Sequence, residues 1–202
     1  MSSYYYMTII DDKHYINQII EGNSNAFAVL VDRYKDLVFT LAYKMVKNRE
    51  EAEEISQDTF IKIFKSLNKF KGESKFSTWV YKITYNTCLD RLKKSKKENS
   101  VVYIEDFSGH QVNVIESVFD AIDEKERNEK IQDCLSLLPS EDAFLLTLYY
   151  FDDQSIEEIA KVMDSNANNI KVKLFRSRKK MASILNKRLE PEILGYYESE
   201  RR

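Results

Sequence analysis

SIEEIAKVMDSNANNIKVKLFRSRKKM, residues 155–181, is the stretch on which the reading of this chain turns. Ser155 and Glu158 form an S-x-x-E capping box, in which each satisfies a backbone N–H at the start of a helix. Ile156, Ile159, Ala160 and Met163 then recur at helical spacing. DSNA (164–167) is a short polar turn, and a basic helix runs from Asn168 to about Arg188. A short helix, a tight turn and a longer basic helix make a helix-turn-helix. On the second helix Ala167, Ile170, Leu174, Ser177 and Met181 share one side, suited to packing on the first. Asn168, Val172, Phe175, Arg176 and Lys179 fall on the opposite side, with Lys171, Lys173, Arg178 and Lys180 flanking it. A surface helix with a solvated basic face would need only the charges. The cap, the turn length and the inward stripe agree with a helix that sets amide, apolar and Arg groups against base edges and lysines on phosphates.

Upstream, Leu137 and Leu138 lead into Pro139 and Ser140, which suit a helix starting near Glu141. Still further upstream, FSTWVYKITYNTCLDRLKKSKK (76–97) concentrates aromatic rings and lysines in one helix-length stretch. Phe76, Trp79, Tyr81 and Tyr85 offer flat faces, and Arg91, Lys93, Lys94, Lys96 and Lys97 a cationic track, the combination that holds single strands. The helical wheel puts Phe76, Trp79, Val80, Ile83 and Thr87 on one side and Tyr81, Tyr85, Cys88 and Leu92 on another. Much of this helix therefore belongs to a core. Lys82 and Asn86 fit a core less well, and the preceding loop, NKFKGESK (68–75), adds Phe70 and Lys71 beside Gly72. An exposed Phe70 there would be a wedge or a pocket wall for an unstacked base.

The rest of the chain sorts into helices. Ala26, Phe27, Leu30, Tyr34, Leu37, Val38, Leu41 and Met45 mark a buried helical face, and Ala52, Ile55, Thr59, Ile63 and Leu67 another, with Asn48 and Arg49 between. With four Gly and two Pro in 202 residues and no clear sheet-like alternation, the expected class is all-α. Two small helical domains are expected, at 12–97 and 125–188, joined by an acidic linker at 98–124, with an unassigned tail at 189–202. The net charge of −2 conceals strong segregation. Lys75 to Lys97 holds seven Lys/Arg and one Asp, net +6; Glu98 to Glu124 holds seven acids and no Lys/Arg, net −7; Lys171 to Lys180 holds six basic residues and no acid, net +6. Two separate basic blocks point to nucleic acid despite the acidic mean.

Other chemistries find less support. Cys88 and Cys134 are isolated, as are His14 and His110, so neither a disulfide nor a His-containing metal site is expected. No phosphate-binding GxxxxGK[ST] occurs. No apolar run approaches the ~20 residues needed to span a bilayer, and MSSYYYMTII lacks a charged leader. A cytoplasmic protein without cofactors follows as the expectation. The acidic helix EEAEEISQDTF (50–60) is either a solvated face or a docking site for a basic protein surface.

The order of these stretches resembles the extracytoplasmic-function group of the sigma-70 family, the two-domain initiation factors of bacterial RNA polymerase. The resemblance runs from about residue 12 to 188 and is carried by AFAVLVDRYKDLVFTLAYKMV (26–46), EEAEEISQDTFIKIFKSLNKFKGESKFSTWVYKITYNTCLDRLKK (50–94), LLPSEDAFLLTLYYFDDQSIEEIAKVM (137–163) and NNIKVKLFRSRKKM (168–181). It implies a non-enzymatic factor that directs core polymerase to promoters and helps open the minus-ten region. Glu54, Gln57, Asp58 and Phe60 would then meet the clamp of the largest subunit, and the flap of the second-largest subunit is a further implied contact. Phe70 and Asn86 match positions that hold a flipped base, while Lys71, Trp79, Tyr81 and Lys82 would support or track the melted strand. Asn168, Lys171, Val172, Lys173, Phe175, Arg176 and Lys179 would read the minus-thirty-five duplex. The acidic linker would thread towards the RNA exit path, and an anti-sigma factor is a candidate partner. The chain departs from the family pattern at Asp164 and Ser165, where Gly and an apolar residue are often found, and at Val172, where a small polar residue is common. Two rivals to this reading are a dimeric helix-turn-helix regulator acting on duplex alone and a helical-bundle enzyme holding a metal on the Glu cluster.

Overall fold

The structure is a computed structural model that describes residues 11–98 and 124–188, with side-chain surroundings for 11–94 and 131–185. Every regular element among the described residues is helical. They are α1 (Asp12–Ile20), α2 (Phe27–Val46), α3 (Arg49–Ser66), α4 (Phe76–Glu98), α5 (Glu124–Leu137), α6 (Ser140–Tyr150), α7 (Ile156–Val162) and α8 (Ala167–Arg188), with short 3-10 turns at Ser24–Ala26 and Leu67–Lys69. The described residues divide into two compact units, the first holding 11–43 and 48–91 and the second 44–47, 92–98 and 124–188. Most of the linker expected at 98–124, and the tail at 189–202, lie outside the described residues, as do His110 and the side chains of Lys96 and Lys97.

In the first unit the predicted stripes become the core. Ile16, Leu30, Tyr34, Val38, Ile63, Leu67, Phe76 and Val80 form one buried cluster. The break between α2 and α3 has a local cause. Lys47 turns left-handed at φ 56°, and the Asn48 side chain then accepts from the Glu51 N–H at 3.0 Å to cap α3. Tyr34 is 8% exposed and donates its hydroxyl to Asp12 at 2.5 Å, which ties α2 to α1. Burial, then the Asp12 carboxylate, pushes the Tyr34 phenol well above its ordinary range. Cys88 is buried, and burial pushes its thiol up to about 12, so it stays protonated at neutral pH.

In the second unit α6 and α7 both pack on α8. The Ser155–Glu158 capping box is complete, with reciprocal contacts at 3.2 and 3.0 Å. Ile170, Leu174, Ser177 and Met181 are all buried, so the stripe on α8 is indeed its packing face. Ser177 donates to Asp142 on α6 at 2.5 Å, and Lys180 reaches the other oxygen of that carboxylate at 2.6 Å. Asp164 adopts φ 46° in the turn before α8, a left-handed conformation that Gly would take without a Cβ penalty.

A left-handed conformation suits Asp better than a β-branched residue. Asp164→Val is therefore expected to cost about 1–2 kcal/mol in urea unfolding, whereas Asp164→Gly should stay within about 0.5 kcal/mol of the parent.

Candidate nucleic-acid interface

The first candidate surface begins at the loop before α4. Gly72 sits at φ 74°, a turn that lets the chain double back onto α4. Phe70 is half-buried, its ring centroid 5.3 Å from Phe76 and 5.4 Å from Trp79. Of the wedge and the pocket wall expected for Phe70, this packing fits the wall, held by its neighbours. That wall borders a cleft of about 620 Å³, with Lys71, Gly72, Ser74 and Lys75 on the loop side. The opposite wall comes from α1 through Asp12, Lys13, Ile16 and Asn17, and no sequence pattern indicated that α1 would lie there.

On α4, Trp79, Lys82 and Asn86 are half-buried and follow one face at i, i+3 and i+7. With Phe70 against Trp79, they extend the loop surface along the helix. Tyr81 does not join them. It is 3% exposed and its ring belongs to the core, so of the roles expected for it, support or tracking, burial fits support and not stacking. Tyr85 is likewise buried at 5%. The cationic track is also thinner than the sequence suggested. Arg91 forms an ion pair with Glu54 of α3, while Lys93 and Lys94 are exposed.

The second surface lies on α3. Glu54, Gln57, Asp58 and Ile61 are exposed at i, i+3, i+4 and i+7, forming one continuous acidic and apolar face. Ile61, 50% exposed, lies off the stripe of Ala52, Ile55, Thr59, Ile63 and Leu67 and had no role assigned from sequence. Phe60 is half-buried and packs edge-to-face on Phe27 at 6.4 Å, so it shapes this surface from below. Among the described residues no group of three or more His, Cys, Asp or Glu is placed to hold a metal ion.

The third surface is the outer side of α8. Asn168, Lys171, Val172, Lys173, Phe175 and Arg176 are all exposed. The cations divide by what they touch. Lys173 pairs with Glu141 at 3.3 Å, Lys179 lies over the Phe175 ring at 4.7 Å, and Arg178 turns back over Tyr149 and Tyr150 at 5.3 and 5.5 Å. Lys171 and Arg176 stay outward beside the two exposed apolar residues. No described helix is long and apolar enough to cross a membrane.

Residues 30–98 match sigma-70 region 2 and residues 128–181 match sigma-70 region 4. The chain is 33% identical over 172 residues to the extracytoplasmic-function sigma factor SigW of Bacillus subtilis, across 82% of this chain and 92% of the relative. It belongs to the extracytoplasmic-function group of sigma-70 factors. The sigma-H factor of Pseudomonas aeruginosa is 30% identical over 191 residues, across 92% of this chain and 97% of the relative. The fold is shared with CnrH, solved with the cytosolic domain of CnrY, at TM-score 0.56 and 19% identity, across 88% of this chain and 99% of that one. It is shared too with the sigma factor RpoE of Bartonella quintana, solved with the anti-sigma factor NepR, at TM-score 0.59 and 19% identity, across 81% and 98%. This sigma factor therefore acts in transcription initiation, with core RNA polymerase and promoter DNA as its partners. Its family consists of regulators rather than enzymes.

Burial sets different costs of truncation on α4 and on the loop before it. Tyr81→Ala should cost about 3–5 kcal/mol in urea unfolding, as expected for truncating a buried ring. Lys71→Ala, on the exposed loop, should leave unfolding within about 0.5 kcal/mol of the parent.

Proposed function

We propose that the three surfaces divide the work of initiation. The face of Glu54, Gln57, Asp58 and Ile61, shaped by Phe60, docks on the clamp of the polymerase largest subunit, where acidic side chains meet basic ones. Phe70, Lys71, Trp79, Lys82 and Asn86 hold the melted minus-ten strand, with Tyr81 as buried support. An unstacked base rests against the Phe70 wall while Asn86 supplies an amide for its edge. The outer face of α8 reads the minus-thirty-five duplex through Asn168, Lys171, Val172, Phe175 and Arg176. Lys173 and Lys179 contribute once drawn from Glu141 and Phe175 to phosphate. The second unit also meets the flap of the second-largest subunit, and the acidic stretch 98–124 threads towards the RNA exit path.

The observation that carries this reading is the two-sided α8, which buries Ile170, Leu174, Ser177 and Met181 and exposes Lys171, Val172, Phe175 and Arg176. Binding energy alone drives opening here, through capture of unpaired bases, and the chain has no catalytic role. It works in the cytoplasm. An anti-sigma protein is a further proposed partner, because two proteins of the same fold were solved with CnrY and NepR. Such a protein would compete with core polymerase for the exposed face of α3.

Run-off transcription with core polymerase on a genomic promoter library tests the assignment as a whole. Asp58→Ala should weaken core binding by about threefold to tenfold in a pull-down titration with the fold unchanged; undiminished affinity would remove α3 from the docking site. Arg176→Ala should cost on the order of 1–3 kcal/mol, confined to one minus-thirty-five position if Arg176 reads a base. A uniform loss across sequences would make it a phosphate contact.

A further inference from the structure

Two apolar side chains stand in the middle of the basic outer face of α8. Val172 is 48% exposed and Phe175 is 47% exposed, between and beside the exposed Lys171 and Arg176. Single exposed apolar residues are ordinary. This pair is less so, because it lies at i and i+3 on one face, and Val is a poorer helix former than the polar residues around it. Neither side chain serves the core, which α8 meets through Ile170, Leu174, Ser177 and Met181. Phe175 is also held in place, with the Lys179 ammonium 4.7 Å from its ring centroid.

In the major groove thymine alone among the four bases displays a methyl group. Val and Phe offer no hydrogen bond to a base edge, so they cannot satisfy the donor of cytosine or adenine or the acceptors of guanine. Pressing them on such an edge would remove water without replacing its bonds. Three residues of helix rise about 4.5 Å, against about 3.4 Å between successive base pairs. The two spacings are close enough that Val172 and Phe175 can sit on neighbouring base pairs when the helix lies in the groove. We infer that they form an apolar reader of thymine 5-methyl groups on two adjacent pairs of the upstream duplex, flanked by Lys171 and Arg176 as the polar contacts. This rests on α8 being the duplex reader, and it names the base chemistry that α8 selects.

The test uses the full chain with core polymerase and promoter duplexes whose minus-thirty-five window is randomised. Selected duplexes should carry neighbouring thymines in that window. They are then resynthesised with uracil in place of those thymines, which removes the methyl groups and leaves base pairing intact. Initiation should fall roughly fourfold for each methyl removed. In Val172→Ser and Phe175→Ser, checked for unchanged thermal unfolding, thymine and uracil templates should become equivalent at the corresponding pair. Equal use of thymine and uracil by the parent chain, or selected windows without thymine, would overturn the methyl reader while leaving duplex reading by α8 intact. A uracil penalty that persists in both variants would assign the methyl contact to other residues and overturn it equally. If the parent chain selects no sequence at all in the window, the duplex reading by α8 fails as well.

Discussion

Each surface-bearing helix of this protein must be half core, and Phe76 shows what that requires. Its ring is 5% exposed and lies 5.5 Å from Tyr34, 5.3 Å from Phe70 and 5.6 Å from Trp79. One buried ring thus couples α2, the loop before α4 and α4 itself. Aromatic pairs of this kind add about 0.5–1.5 kcal/mol beyond their buried area. The more important effect is geometric, because Phe70 and Trp79 are fixed relative to each other in the unbound protein. Preorganisation of this sort lowers the entropic cost of binding.

The second unit reaches the same end with a carboxylate. Asp142 of α6 accepts from Ser177 and from Lys180 on α8, beside the apolar stripe of Ile170, Leu174 and Met181. A mostly buried acid satisfied by two donors positions α8 more narrowly than apolar packing alone, since hydrogen bonds are directional. The same contacts tie Lys180 to α6, while Glu141 holds Lys173. The lysines of α8 thus serve packing as well as surface charge, and the helix keeps both by alternating faces.

Local patterns were legible where they repeat within one helix. The capping box at Ser155, the break at Asn48 and the inward stripe on α8 all follow from spacings of three or four residues, and each appears in the structure where the sequence indicated. The α4 helix was harder because it carries large apolar residues on two sides. Trp79 and Tyr81 are both aromatic, and their spacing alone does not say which faces outward. The structure buries Tyr81 and leaves Trp79 half-covered beside Phe70. The α1 wall of the cleft and the exposed Ile61 were illegible for a related reason, since each depends on where other elements come to rest.

By itself, then, the sequence determined the helices, their caps and turns, the two basic blocks and the family. These are properties of neighbouring residues, carried by periodicity and composition. Only the tertiary structure decided which aromatics are open and which cations are occupied. Glu54 meets Arg91 across 37 positions, Glu141 meets Lys173 across 32, and Asp142 meets Ser177 across 35. Exposure and pairing are set by contacts between residues distant along the chain, and those contacts exist only once the helices have packed.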